Sequence, residues 1–421
     1  MKPTINIIRV LVGILFIFSG LVKANDPLGT AYKMQEYFEV WSADLTTSSF
    51  FLKNALLSIF HFFNDHTLFL SVAMNAFEII AGAALLLGWR MKLFSWLLLL
   101  LMIFFTILTG YTYKTGRPTN CGCFGDCIKI TPEYSFYKDV LLSILILIIL
   151  FARRYIKPLF RPAPNTGLMI IAIIFSFGLQ WYALQNLPPV DCLPFKKGNN
   201  ISEKMKLPAN AIPDSTVITF VYEKAGKKVE FTADKFPEDF NADNYKFISR
   251  YDKVLKKGKN NEPPIKGFTL KGNNDEDLTQ TVLSQPNAVL LFCENFSSDD
   301  PVPTVPLSKW KDKFSKLYAV AKEKNIPVYL ITKQPAEAVS AIASTDFKDI
   351  QILKCDYTPI RTAARANPCI YILNEGTILG KWSYHGVNQA VKKLQSLVVT
   401  QKQKEILTDS VPPPTDTSKI K

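Results

Sequence analysis

The chain has 421 residues, 48% of them hydrophobic and 12% aromatic, with a formal net charge of +13. That length holds two or three domains, and the averages conceal a split: the first ~190 residues are mostly apolar, the rest reads as ordinary soluble protein. The charge does not mark a nucleic-acid binder, because the lysines lie among acidic residues with no basic stripe and interleaved aromatics; beside apolar runs, basic residues report membrane topology.

Five stretches approach the ~20 apolar residues that a transmembrane helix needs, at about 5–22, 67–89, 93–113, 134–152 and 167–187. The first is read as a span and not as a cleaved signal peptide, because Arg9 interrupts it and no small-x-small site follows. Arg90 and Lys92 follow the second span, and Arg153, Arg154, Lys157 and Arg161 follow the fourth, with no acidic residue in either connection. The loops on the other side mix signs: Lys33, Glu36, Glu39, Asp44 and Lys53 in one, Lys114, Arg117, Asp126 and Lys129 in the next. The positive-inside rule then puts the N-terminus in the cytoplasm and the C-terminal half outside.

Residues 41–64 carry Trp41, Phe50, Phe51, Phe60, Phe62 and Phe63 interrupted by Lys53, Asn54 and His61. This reads as an amphipathic helix at the interface or plugging the bundle. Glu78 lies near the middle of the second span beside Asn75, Lys23 ends the first, and Asp139 sits in the outer part of the fourth. An ionisable group at membrane depth faces the bundle interior with a partner. For Glu78 the alternatives are a structural lock with Asn75 or a hydroxyl, and a proton-relay or ligand role; Lys23 and Asp139 are shallower and expected to snorkel.

Between the third and fourth spans, Asn120-Cys-Gly-Cys-Phe-Gly-Asp-Cys127 packs three thiols into a loop on the outer, oxidising side. A Cys121–Cys123 disulfide would be strained, hence labile, and Cys127 offers either one an unstrained alternative. Gly122 and Gly125 permit the tight turns that such a loop needs. Rival readings are a structural disulfide with one thiol left over, and a Zn or Cu(I) site needing a fourth ligand from elsewhere. Cys192, in Pro188-Pro-Val-Asp-Cys-Leu-Pro194, emerges on the same face and could resolve a disulfide with Cys127, or have no role.

In the outer half, Val217–Tyr222, Ala225-Gly226 and Lys228–Thr232 read as a β-hairpin. From 264 to 398 the order is strand (Ala288–Cys293), amphipathic helix (Leu307–Lys324), strand (Pro327–Thr332), short helix (Pro335–Ala343), strand (Ile350–Lys354), helix (Pro359–Ala366), strand (Asn367–Leu373), hairpin strand (Ile378–Trp382) and final helix (Gly386–Val398). The junction after the first strand, Asn295-Phe-Ser-Ser-Asp-Asp-Pro301, carries no thiol. Cys293, Cys355 and Cys369 read as small buried hydrophobes, although Cys293 and Cys369 would share neighbouring strands and could pair. Residues 399–421, with Pro412-Pro-Pro414, read as a disordered tail. The expected domains are therefore 1–160 (bundle), 161–194 (fifth span), 195–263 (hairpin spacer), 264–398 (α/β unit) and the tail.

Three motifs carry a family resemblance. Phe18-Ser-Gly-Leu-Val-Lys23 and Glu78–Gly88 resemble the DoxX signature, and Cys121-Gly-Cys-Phe-Gly125 resembles the related MauE membrane proteins, which serve maturation of a disulfide-rich enzyme. With its fifth span and outer unit the chain resembles DoxX-type proteins of Bacteroidetes with a periplasmic extension. Residues 264–398 resemble thioredoxin-like proteins without the Cys-x-x-Cys motif, in which the residue matching Pro368 is cis and faces the redox site. The resemblance implies a four-helix bundle in a bacterial inner membrane and thiol chemistry at Cys121, Cys123, Cys127 and Cys192 with a periplasmic client. Glu78 would then handle protons or a small lipid-soluble partner such as a quinone, for which no motif exists. The alternative is a non-catalytic assembly subunit whose degenerate outer unit binds a periplasmic partner.

Overall fold

The computed structural model describes residues 2–397 apart from 119, 120, 129, 214, 234, 242, 257, 259 and 297–304. The expected tail, Val398 at the end of the last helix, and positions 297–301 of the strand–helix junction lie outside the described residues.

The N-terminal part is helical: α1 (Lys2–Ala24), α2 (Pro27–Thr46), α3 (Lys53–Asp65), α4 (Thr67–Leu87), α5 (Met91–Thr115), α6 (Pro132–Ala152) and α7 (Pro162–Gln185). All but α2 and α3 are long and apolar enough to cross a membrane, as the five stretches predicted. Their outward faces expose large apolar side chains such as Leu11, Ile107, Phe151 and Ile174, surface that hydrocarbon covers while each helix satisfies its own backbone. Helices α1 and α4 pack backbone to backbone through small residues. A Cβ on Gly20 would sit 2.9 Å from the Ile79 nitrogen, and one on Gly82 would sit 2.7 Å from the Gly13 carbonyl oxygen. Small residues at such a crossing permit close approach in a lipid solvent, where burial alone gives no driving force.

Five crossings place α2, α3, the α5–α6 loop and everything after α7 at one end of the bundle. The opposite end gathers Arg9, whose Nη1 donates to the Lys157 carbonyl at 3.3 Å, and the α6–α7 connection, where Leu159 N donates to Leu87 O.

Residues 41–64 do not form one helix. Helix α2 starts back at Pro27, capped by Asp26 whose Oδ1 accepts from Gly29 N at 2.9 Å, an N-cap with proline in the first turn. It stops at Thr46 because Thr46, Thr47 and Ser48 turn their hydroxyls to nearby backbone groups, which competes with the helical ladder. After the break, α3 folds back so that Phe60 and Phe63 meet Phe38 and Trp41 at ring distances of 5.7–6.2 Å.

After α7 come a short helix α8 (Ile201–Lys204) and an antiparallel sheet of β1 (Ser215–Lys224), β2 (Lys227–Thr232) and β3 (Lys246–Lys256), ordered β2-β1-β3. The predicted hairpin is β1–β2, turning at Ala225 and Gly226, both at positive φ. Strand β3 escaped the sequence reading. Phe231 is the centre of this module's core, with Tyr222, Phe236, Phe240 and Tyr245 around it.

The remaining elements are α9 (Thr279–Leu283), β4 (Ala288–Phe292), α10 (Lys311–Glu323), β5 (Val328–Thr332), α11 (Pro335–Ile342), β6 (Gln351–Lys354), α12 (Tyr357–Ala363), β7 (Cys369–Asn374), β8 (Thr377–Ser383) and α13 (Val387–Gln395). They make a mixed α/β unit whose sheet runs β6-β5-β4-β7-β8. Strands β4, β5 and β6 are parallel, and β7 and β8 are antiparallel to their neighbours. The completely buried run of β4 is what a strand covered on both faces requires. One face carries Trp310, Phe314 and Phe347 from the α10 side. The other holds Phe292 and Tyr371 together with Phe195 and Ile201. The boundary at 263/264 therefore cuts this core: 195–205 belongs to the α/β unit, tied by Gly198 N to Ile378 O, Ile201 N to Gly376 O and Ile265 N to Lys204 O. The β1–β3 sheet is an excursion from it.

Candidate functional site

The loop between α5 and α6 turns at Gly122 and Gly125, where Gly125 N donates to Gly122 O at 3.0 Å. Both glycines have positive φ, and a Cβ on Gly122 would strike Lys33 at 2.7 Å, so glycine is needed there on two counts. The turn presents Cys121 and Cys123 to the bundle and sends Cys127 the other way. Ser19 of α1 holds it in place, donating to the Cys123 carbonyl at 3.2 Å.

Cys127 is joined to Cys192, with the two Cα atoms 4.9 Å apart. Cys121 and Cys123 are free thiols. With Cys127 bonded, the loop retains two thiols, and the three-thiolate metal reading loses a ligand. The chain after α7 reaches Cys127 because Asn25, just past α1, clips Val190 on both sides of its backbone. Asn25 Nδ2 donates to Val190 O, and Val190 N donates to Asn25 Oδ1, each at 2.8 Å.

Burial pushes the Cys121 thiol up to about 11, with neighbouring Cys123 adding to it, and raises Cys123 as well. The two are thus kept as thiols at neutral pH. Burial also raises Cys293, and raises Cys355 and Cys369 to about 12. Cys293 does follow the strand neighbouring Cys369, with Phe292 opposite Cys369, but both thiols are free and buried. The bridge considered between them is not formed. The peptide bond before Pro368 is cis.

The intramembrane polar residues are paired differently from the sequence expectation. Lys23 does not snorkel: it is 3% exposed and forms an ion pair with Glu78. Asn75 is not Glu78's partner; its amide donates to Gln180 at 3.3 Å and to Ser71. Asp139 is likewise buried, 3.0 Å from Lys138 Nζ and accepting from Thr109 at 3.1 Å. Depth along a helix misjudged them, because α2, α3 and the cysteine loop cover this end of the bundle and exclude solvent there.

Two arginines of α12 and its end lock the α/β unit onto this end. Arg365, 5% exposed, bridges Asp26 (2.7 Å) and Asp126 (2.6 Å), the latter one residue before Cys127. Burial alone would lower its pKa; Asp26 and Asp126 outweigh burial, and the guanidinium stays charged. Arg361 contacts both oxygens of buried Glu294 at 2.9 and 3.1 Å and donates to Gln35 at 3.1 Å. Both arginines stack on Tyr32. None of these five partners stood out in the sequence. Arg365 and Asp26 are 339 positions apart, and no local pattern links them.

The model for the methylamine utilisation protein MauE matches residues 1–152. Those residues are a MauE-type membrane bundle. A domain of unknown function, DUF8463, matches residues 216–257, the three-stranded sheet. No curated protein matches the chain. The MauE match ends with α6, so α7, Cys192 and the α/β unit are additions to the MauE-type part, and they supply half of the Cys127–Cys192 bridge.

Proposed function

We propose that this chain is a thiol–disulfide exchange protein of a bacterial inner membrane, with its N-terminus in the cytoplasm and its cysteine loop and α/β unit in the periplasm. The observation that carries the reading is the joining of Cys127 to Cys192 in the loop that also holds the free pair Cys121 and Cys123. Cys121 and Cys123 share one short loop with Cys127, so exchange with the bridge asks only that this loop turn.

The reaction is written in two exchanges. A client dithiol attacks the Cys127–Cys192 disulfide; the client gains a disulfide, and Cys127 and Cys192 leave as thiols. Once a lipid-soluble two-electron acceptor has oxidised the Cys121 and Cys123 thiols to a disulfide, that disulfide oxidises the pair, so that Cys127–Cys192 re-forms and Cys121 and Cys123 take up the two protons. Electrons run from client to Cys127/Cys192 to Cys121/Cys123. The strain of a bridge one residue apart favours this direction.

The α/β unit is read as a thioredoxin-type platform that positions clients and does no redox chemistry itself. Its sheet order and the place of Pro368 before β7 support the resemblance, while its buried thiols are poor nucleophiles.

The test uses the full chain in lipid vesicles and a reduced fluorescent dithiol peptide. The wild type oxidises one peptide per chain from its resting bridge, and Cys127→Ala, which cannot form that bridge, oxidises none. Equal peptide oxidation by Cys127→Ala, Cys192→Ala and wild type would overturn the reading.

A further inference from the structure

The exchange sequence leaves two electrons on Cys121 and Cys123, and the structure shows where they can go. A cavity of about 380 Å³ lies inside the outer part of the bundle, with Cys121 and Cys123 in its wall. That volume is within the ~300–1,000 Å³ range of small-molecule sites. Its sides are apolar and aromatic, among them Trp41, Phe63, Met102 and Phe105. Leu15 of α1 and Phe104 of α5 stand at its margin, near the middle of their helices, and are 43% and 45% exposed. A ligand that reaches the cavity by that route comes from the hydrocarbon.

One end of the cavity is polar, and its groups are not all satisfied. Lys23, Glu78, Lys138 and Asp139 all line it. Glu78 is 1% exposed and paired through Oε1 with Lys23; among the described residues its Oε2 has no hydrogen-bond partner. A buried carboxylate oxygen left without a donor is costly, and a site that keeps one is shaped for a donor that arrives from outside. The ammonium groups of Lys23 and Lys138 are complementary: they donate to an oxygen acceptor. A ligand matched to this end therefore accepts hydrogen bonds in one state and donates an O–H in another.

We propose that the cavity binds a quinone from the membrane and that Cys121 and Cys123 reduce it. The proposal rests on the exchange reading for the source of the electrons. The step balances: the two S–H bonds break and the Cys121–Cys123 bond forms, while the quinone's two carbonyl oxygens take up two electrons and two protons and become hydroxyls. Lys23 and Lys138 orient the carbonyl form, and Glu78 Oε2 accepts from the hydroxyl form and passes protons. The aromatic walls hold a flat ring, and the ring meets the thiols at the end where the carbonyls lie. An acyl chain or a sterol would fill the apolar part but take up no electrons and leave Glu78 Oε2 unmet.

The experiment uses the full chain in lipid nanodiscs, kept anaerobic and without added reductant so that Cys127–Cys192 stays bridged and Cys121 and Cys123 stay thiols, with decylubiquinone as the probe. Trp fluorescence reads binding and quinone absorbance reads reduction. The expected result is saturable quenching, one quinol per chain, and a Cys121–Cys123 bridge in the peptide map. Glu78→Gln is expected to slow quinol formation by ~10²-fold or more, the usual share of a positioned acid–base group, with quenching retained. Met102→Trp, which fills the cavity, is expected to abolish quenching. Single-turnover oxidation of the dithiol peptide by Cys127–Cys192 must survive in both variants, which separates a filled site from a misfolded one. Absence of saturable quenching or of quinol in the wild type overturns the proposal, and intact peptide oxidation in that sample leaves the exchange reading standing. Quinol formation that persists in Cys121→Ala/Cys123→Ala, or quenching unaffected by Met102→Trp, also overturns it.

Discussion

Substituting Arg365 by alanine separates a buried contact from an exposed one in a single residue. The guanidinium lies 2.7 Å from Asp26 and 2.6 Å from Asp126, so distance alone ranks the two pairs as equal. Burial does not: Asp26 is 13% exposed and Asp126 is 40%. Leaving a buried charge without its partner costs about 3–5 kcal/mol, whereas a solvent-screened pair contributes about 0–1 kcal/mol. Asp26 keeps its bond from Gly29 N, which puts Arg365→Ala near the low end, about 3 kcal/mol. At about 1.4 kcal/mol per tenfold, local opening becomes ~10²-fold more frequent. Hydrogen exchange of the α12 amides and of Thr30, whose N–H is bonded to Asp26 O, reads this directly. Arg365→Ala should speed them by ~10²-fold, and Asp126→Ala by less than ~5-fold on the screened-pair figure. Equal acceleration by the two variants, or none in α12, would refute the claim that the Asp26–Arg365 pair holds the α/β unit to the bundle.

Other consequences follow from burial and close approach. With its thiol pushed from 9.0 up to about 11, Cys121 exposes about 100-fold less thiolate at neutral pH than an unperturbed cysteine. Because the thiolate is what reacts, its alkylation should keep rising through pH 10; a plateau by pH 9 would contradict the assignment. Gly20→Val sets a branched side chain against the Ile79 backbone and should lower bundle stability by about 1–3 kcal/mol; Gly178→Val, which has open space around it, should not change thermal unfolding. Phe231→Ala removes the ring that Tyr222, Phe236, Phe240 and Tyr245 surround, at a cost of about 3–4 kcal/mol. Limited proteolysis should then cut within 206–262 while the bundle and the α/β unit stay intact.

What could be read from the sequence is what chemistry writes locally. Runs of twenty apolar residues report spans whatever their neighbours, and the buried strand around Leu290 and the turn at Ala225-Gly226 are set by a few adjacent residues. The partners of Lys23, Asp139 and Glu78 were misread because their burial depends on α2, α3 and the cysteine loop closing over them. The amphipathic run at 41–64 was misread for the converse reason: aromatic patterning continued across a Thr-Thr-Ser break whose hydroxyls end the helix. The arginine clamp at Asp26 and Asp126 was invisible, since it depends on the docking of elements hundreds of residues apart. Phe195 and Ile201 were assigned to a spacer because a core contribution of two residues before a sixty-residue excursion leaves no periodic trace.

The proposed function requires exchange between the pair Cys121/Cys123 and the bridge Cys127–Cys192. Its most direct measurement is a disulfide map of Cys192→Ala, made in the full-length protein after blocking free thiols in intact membranes. With Cys192 gone, Cys127 should be found bridged to Cys121 or Cys123. Recovery of Cys127 as a free, alkylated thiol, with Cys121 and Cys123 unaltered, would contradict it.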